Sequence, residues 1–434
     1  MTFARNGRMP EAPTKVRHSI LAVTTLAAFL MYLDRMCMSE IVKTATFRSE
    51  FDLTDEQLSW VLSAFFWAYA LGQVPAGWLS DRFGIRPLMT IFIVLWSAFT
   101  ALTGFATGLW SLLLTRMGCG LAEAGAYPAS SSLLRKWATW GNRGVASSIV
   151  SLGGRLGGAA APVLTMLVIS LMGGWRWAGW IYGAVGILFA WAFWHIYRES
   201  PEQHPDCNDE ERALLAHGRP IDADAGKKYR FPWMAMLKSG NLWFMCGMQF
   251  WTNVGWAFLA TWMPRYLKET LKLSDEASGT LSTVSLGIGL GGMMFGGVFA
   301  DACVRYMGLK RGRLIPLAGT RFLAAVMFVL AIQTTNPWLL VPALGLVAFF
   351  TDAGLPAVWA TMQDVGGRYT APVFGWANMW GNIGAALSPV FIALINKHLD
   401  ANQDWHEALY FCAAAFVISG LLATRIRADQ PITG

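Results

Sequence analysis

SLGGRLGGAAAPV, residues 151–163, recurs as NMWGNIGAALSPV, residues 378–390. The offset is a constant 227, pairing Gly154 with Gly381, Gly157 with Gly384 and Pro162 with Pro389. Around each copy the chain stays apolar for about twenty residues at a time, the length a helix needs to cross about 30 Å of hydrocarbon. Such runs lie near 19–38, 58–79, 87–106, 108–134, 145–172 and 178–197, then near 241–264, 277–300, 314–334, 337–361, 373–396 and 405–424. The expected fold is therefore an all-α membrane protein: twelve transmembrane helices in two six-helix, pseudo-symmetric halves. The halves are residues 1–198 and 239–434, joined by a polar linker over 199–238 that is too charged to cross. A short amphipathic helix is expected in the linker around Asp209 to His217.

Composition agrees. Of 434 residues, 55% are hydrophobic and only 14% charged, with 22 Trp and 26 Phe; mean hydropathy is +0.41. A soluble chain carries roughly a quarter charged residues, so a soluble enzyme, a secreted scaffold and a disordered protein are all excluded. A β-barrel would alternate apolar and polar residues over about ten positions, which these runs do not. The six cysteines, Cys37, Cys119, Cys207, Cys246, Cys303 and Cys412, have no metal-ligand spacing, and neither a metal nor a cofactor is expected. Lys and Arg concentrate in the N-tail, the linker, the C-tail and the loops on their side, so the positive-inside rule puts both termini in the cytoplasm. The net charge of +7 follows from that topology and gives no support for nucleic-acid binding. The first apolar run has no cleavage pattern after it and reads as a span rather than a signal peptide.

A second repeat joins GWLSDRFGIRP (Gly77 to Pro87) to GGVFADACVRYMG (Gly296 to Gly308), each placing an Asp and an Arg just after a span. At Gly77, Asp81, Arg82, Gly84 and Arg86 the chain resembles the major facilitator superfamily, and the resemblance covers essentially the whole sequence. Within that superfamily, YLDR (Tyr32 to Arg35), WAYALGQVPAGWLSDRFG and RMGCGLAEAGAYPA (Arg116 to Ala129) resemble the anion:cation symporter family, which includes galactonate and hexuronate symporters, sialic acid carriers and vesicular glutamate carriers. The resemblance implies a proton-coupled symporter of a small organic anion, a sugar acid or other carboxylate. It also implies a bacterial inner-membrane location and, as the expected state, a monomer working by alternating access with no cofactor beyond the coupling proton.

An ionisable side chain at mid-membrane costs a few kcal/mol even on the lenient insertion scale, so each is a functional candidate. The candidates are Asp34, Arg35, Arg116, Glu123 and Arg155, with Arg321 ranked last because it lies where it can snorkel to the cytoplasmic face. Tyr32 shares a helical face with Arg35, and Arg116 shares one with Glu123. With the first and fourth spans adjacent, as the family implies, Asp34 can meet Arg116 while Arg35 faces Glu123 or the cavity. Those four charges cancel. Protonating a carboxylate leaves one positive charge for an incoming anion, so proton and anion favour each other. Asp34 and Glu123 are thus the expected proton carriers, Arg35 the anion contact and Arg116 the charge partner. The alternative is that the four only tie helices together.

Arg155 departs from the family pattern. It reads either as a further cationic contact favouring a dianion, or as an arginine stacked on a Trp or paired with an acid near the membrane face. The resemblance puts further substrate contacts at Tyr32, Tyr69, Trp359 and Asn378, with Asn382 one turn beyond Asn378. Asp81 with Arg82 and Arg86, and Asp301 with Arg305, are expected to gate the cytoplasmic side by pairing with helix ends across the interface between halves. The glycine runs at 153–158 and 287–297 read as close helix contacts; GIGLGG at 287–292 lies inside a span and is no dinucleotide fingerprint. His195, His204, His217 and His398 read as loop or span-end residues. Competing functions are a proton-driven exporter, a phosphate-ester antiporter needing paired arginines from both halves, and a transport-dead membrane sensor.

Overall fold

The computed structural model describes residues 11–218, 231, 233–398 and 405–432. The basic run GKKYR of the linker lies outside the described residues. In the first half, α1 is Val16–Ile41, α2 Asp55–Phe83 and α3 Ile85–Thr103; α4 runs as Leu109–Glu123 continued by Ala126–Trp137, followed by α5, Arg143–Met172, and α6, Arg176–Ile196. The second half begins with α7, Gly240–Thr261. The helix Asp275–Ile332 then contains two crossings, α8 over 275–307 and α9 over 309–332, and is followed by α10, Pro337–Gly366, α11, Thr370–His398, and α12, His406–Ala423. Twelve crossings result. Among the described residues, seven helices are long and apolar enough to span a membrane on composition alone, two of them, Asp275–Ile332 and Pro337–His398, long enough to do so twice.

Local signals explain the boundaries. Thr54 starts α2 with a reciprocal cap: its hydroxyl accepts from the Gln57 N–H while the Gln57 side chain accepts from the Thr54 N–H. Gly84, at φ +97°, turns the chain between α2 and α3, a backbone state that glycine alone takes without strain. Gly308, at φ +75°, does the same between α8 and α9. The sequence-based expectation of a loop there is corrected: the chain is helical on both sides of that single residue. The linker helix is Asp209–Ala216, close to its expected place.

Within each half the repeat-related pairs pack alike, α1 on α5 and α7 on α11. The halves meet most extensively through two contacts that the repeat relates, α2 with α11 and α5 with α8. Glycine permits the approach: a Cβ on Gly77 would stand 2.7 Å from the Ala371 carbonyl oxygen.

Candidate functional site

The centre of the molecule holds six buried or half-buried charges. Arg35 of α1 donates from Nε (3.0 Å) and Nη2 (2.9 Å) to one oxygen, Oε2, of Glu123 on α4. The other Glu123 oxygen accepts only a weak bond from the Cys119 thiol, at 3.5 Å. Aromatic faces surround the guanidinium: Cζ of Arg35 lies 4.4 Å from the ring centre of Tyr69, 4.6 Å from that of Tyr32 and 5.1 Å from that of Phe65. These contacts hold a desolvated cation without neutralising it. Glu123 does that, and the pair is worth keeping only because both partners are present.

The expected meeting of Asp34 with Arg116 is an electrostatic proximity and not a direct ion pair. Both side chains are buried, but no ion pair within 4 Å joins them. Among the described residues, Asp34 Oδ2 and Arg116 Nε have no hydrogen-bond partner. Arg116 instead reaches the Arg35 carbonyl oxygen from Nη2 at 3.5 Å and lies 4.8 Å from the Phe65 ring. A buried carboxylate oxygen and a buried guanidinium nitrogen without partners are unusual in a protein interior, where such groups are nearly always satisfied.

Arg155 of α5 donates from Nη2 to Asp352 Oδ1 of α10 at 2.8 Å and lies 4.8 Å from the Trp256 ring. It is both paired with an acid and stacked on a Trp. Asp352 was missed from sequence although its signal, one acid inside the apolar run over 337–361, is the same one that marks Asp34. With this pair included, the formal charge of the centre still sums to zero.

The aromatic and amide candidates form a floor between the halves. Tyr127 stacks edge-on to Trp359 (5.0 Å between centres), Trp359 edge-on to Phe374 (4.7 Å), and Tyr32 packs 6.0 Å from Tyr127. Asn378 donates to Gln73 Oε1 across the interface at 2.8 Å, and Asn382 donates to the Asn378 carbonyl oxygen at 2.8 Å. Tyr69 and Trp359 are buried in this floor, whereas Tyr32, Asn378 and Asn382 keep part of their surface open. Tyr127 and Gln73 are site residues that sequence reasoning did not single out.

Below the floor, on the side of the termini and the linker, the halves are sealed. Asp81 of α2 accepts from the Ala371 N–H at the start of α11 (3.1 Å) and from the Ser132 hydroxyl (2.8 Å). Its repeat partner Asp301 of α8 accepts from the Gly144 and Val145 N–H groups at the start of α5, both at 2.8 Å. Each carboxylate thus sits on the positive end of a helix from the opposite half. The arginines expected beside them behave otherwise. Arg86 donates to the Trp194 carbonyl oxygen within its own half, Arg82 lies over the Trp78 and Phe83 rings, and Arg305 is exposed. The cationic work at the seal falls to Arg143 and Arg313, which grip Asp364 from opposite halves at 2.7 and 2.9 Å. Both were missed, because charges near span ends normally face water. Arg321 does not snorkel: it is buried and bonds to the hydroxyls of Thr252 and Ser419 and to the Leu317 carbonyl oxygen.

Comparison with known proteins agrees with this architecture. A profile of the Major Facilitator Superfamily matches residues 24–389. A probable sulfoacetate transporter of Cupriavidus necator is 30% identical over 87% of this chain and 86% of its own. A probable galactarate/D-glucarate transporter of Bacillus subtilis is 28% identical (94% and 92% covered), and a D-galactonate transporter of Escherichia coli is 26% identical (94% and 95%). Among solved structures, the proton:xylose symporter XylE superposes with a TM-score of 0.69 at 16% identity, covering 93% of this chain and 94% of its own. The transporter FucP in its outward conformation gives 0.71 at 12% identity, covering 94% and 99%; at these identities both speak for the fold alone. The chain therefore belongs to the Major Facilitator Superfamily, a family of membrane transporters and not of enzymes.

Proposed function

We propose that this protein is a proton-coupled symporter of a small organic anion, working by alternating access in a bacterial inner membrane with both termini in the cytoplasm. The observation that carries the reading is the buried Arg35–Glu123 pair beside the uncommitted Asp34. In the empty protein the charges balance. A proton on Glu123 releases Arg35, whose guanidinium then offers its donors to a substrate carboxylate; the anion cancels the charge the proton brought. Asp34 is the second proton station and Arg116 biases it. Tyr32, Tyr69, Asn378 and Asn382 supply the hydroxyl and amide groups that a polyhydroxy acid needs above the apolar floor of Trp359.

Relatives named as transporters of galactarate/D-glucarate, galactonate and sulfoacetate support an acidic cargo. The sealed terminus side supports an outward-open state, with Asp81 and Asp301 as gating residues. A phosphate-ester antiporter would need an arginine from each half at the centre, and Arg321 is turned into its own half against Thr252 and Ser419.

Uptake into proteoliposomes of galactonate, galactarate and sulfoacetate, with an acidic exterior and with a protonophore, tests the reading. Concentrative uptake abolished by the protonophore is expected. Flux indifferent to the proton gradient, or uptake of a sugar phosphate only in exchange for phosphate, would overturn it.

A further inference from the structure

We propose that Arg155 and Asp352 form a competitive latch in which Asp352 holds, in the empty protein, the place on Arg155 that the second acidic group of a dianionic substrate takes. The inference rests on the organic-anion reading above and narrows it to substrates with two acidic ends.

Four observations carry it. First, the pair spans the two halves at the level of the cavity, α5 to α10, with a single contact of 2.8 Å. Among the described residues Arg155 donates no other hydrogen bond, so most of its five-donor fork is uncommitted. Second, the Arg155 side chain is 30% exposed whereas Asp352 is 8% exposed, so the cation is the accessible partner of the pair. Third, Asp352 has room made for it: a Cβ on Gly289 of α8 would stand 2.7 Å from Asp352 Oδ2. Fourth, Tyr32 links the two arginines: it packs against Arg35 at 4.6 Å, and its phenol lies within electrostatic reach of Arg155. Two cations near one aromatic ring can present two anion contacts to one elongated substrate.

Charge balance gives the consequence. Arg35 is matched by Glu123 and Arg155 by Asp352. A monoanion displacing Glu123 leaves the latch closed. A dianion displaces both carboxylates, and each displaced acid is neutralised by a proton taken from the outer solution, since a lone charge in this interior is strongly disfavoured. Opening the latch also removes a tie between the halves, so a dianion loosens α5 against α10 more than a monoanion does.

The test uses the full-length purified protein and matched probes that differ in one acidic end: galactarate against galactonate, and sulfoacetate against acetate. Dissociation constants are measured at pH 6. The wild type is expected to bind the dianion of at least one pair ten-fold or more tightly than its monoanion. Arg155→Gln is expected to abolish that preference while leaving monoanion affinity within about two-fold. Asp352→Asn is expected to move the opposite way, tightening the dianion several-fold because its competitor is gone; a gain of this kind cannot come from misfolding. Absence of preference in the wild type, an equal loss of both probes in Arg155→Gln, or a loss of dianion affinity in Asp352→Asn would each overturn the latch while leaving anion transport standing. Silence from every anion would overturn the anion reading itself and the latch with it.

Discussion

Arg35 and Glu123, 88 residues apart, meet through two hydrogen bonds that converge on one carboxylate oxygen, leaving the other with only a thiol. A carboxylate held on one side only can accept a proton at the free oxygen without first breaking the bonds at the other. Replacing Glu123 by Gln fixes the charge of its protonated form. Anion binding in Glu123→Gln is therefore expected to lose its pH dependence between pH 5.5 and 7.5 while staying within a few-fold of the wild type at the lower pH. Counterflow should persist and concentrative uptake should fall by at least ten-fold. Arg35→Ala, which removes the anion contact and strands Glu123, is expected to abolish binding and to lower stability by about 3–5 kcal/mol, read by thermal melting in detergent.

Asp34 differs in kind. Among the described residues its Oδ2 has no hydrogen-bond partner and no ion pair reaches it, so Asp34→Asn removes a buried acid rather than a bond. The variant is expected to be at least as stable as the wild type, yet to lose ten-fold or more of its proton-driven uptake. A thermal midpoint that falls by more than a few degrees would mean that Asp34 holds helices together.

Much of this was legible from residues alone, for a definable reason. Arg35, Glu123, Asp34 and Arg116 are charges inside apolar runs, and the hydrocarbon makes each costly enough to be conspicuous. Asp352 sends the same signal. What sequence could not supply was its partner, since Arg155 lies 197 residues away in the other half and no local period relates them. Arg143, Arg313 and Asp364 were illegible for a different reason: near span ends a charge is cheap, and only the closure of one half on the other buries these. Arg86 was misassigned because Trp194 and Glu199, its partners, return from more than a hundred residues later to the same side of the same half.

The seal on the terminus side yields a prediction about conformation. Asp364 is gripped by Arg143 and Arg313 from opposite halves, and all three are buried. Asp364→Asn leaves two buried guanidinium groups facing a neutral amide, and separating the halves is the relaxation that rehydrates them. Spin labels at the exposed positions Phe83 and Met307, at the ends of α2 and α8, should report a longer inter-half distance in Asp364→Asn than in the wild type. Gly77→Val, which drives a side chain into the Ala371 backbone, is expected to lengthen the same distance by a different route. An unchanged distance in both variants would mean that this seal does not govern which side is open.

The linker supplies the pH prediction that lies outside the membrane. Glu211 of the linker helix is fully buried, and it accepts from the Thr14 hydroxyl, the Val16 N–H (3.2 Å), the Arg17 N–H (3.0 Å) and the Arg17 guanidinium (3.0 Å). Burial works to raise its carboxyl, but the hydrogen bonds from Thr14 and from Arg17 outweigh it and hold the group below its ordinary value of 4.5. A depressed acid stabilises the docked state above its unfolded value and loses that contribution as pH falls through the folded one. Docking of residues 209–216 on the start of α1 should accordingly be constant from pH 8 to about 5 and weaken below about 4. Amide exchange at Val16 and Arg17, whose N–H groups the carboxylate caps, reads this directly. In Glu211→Gln the protection factor should already be lower at pH 7, and it should no longer fall with acid. Removing bonds to a charged acceptor costs about 2–3 kcal/mol, so protection is expected to drop by roughly 30- to 150-fold. Protection at Val16 that is equal in wild type and variant at pH 7 would show that the linker helix is held by its apolar contacts and not by Glu211.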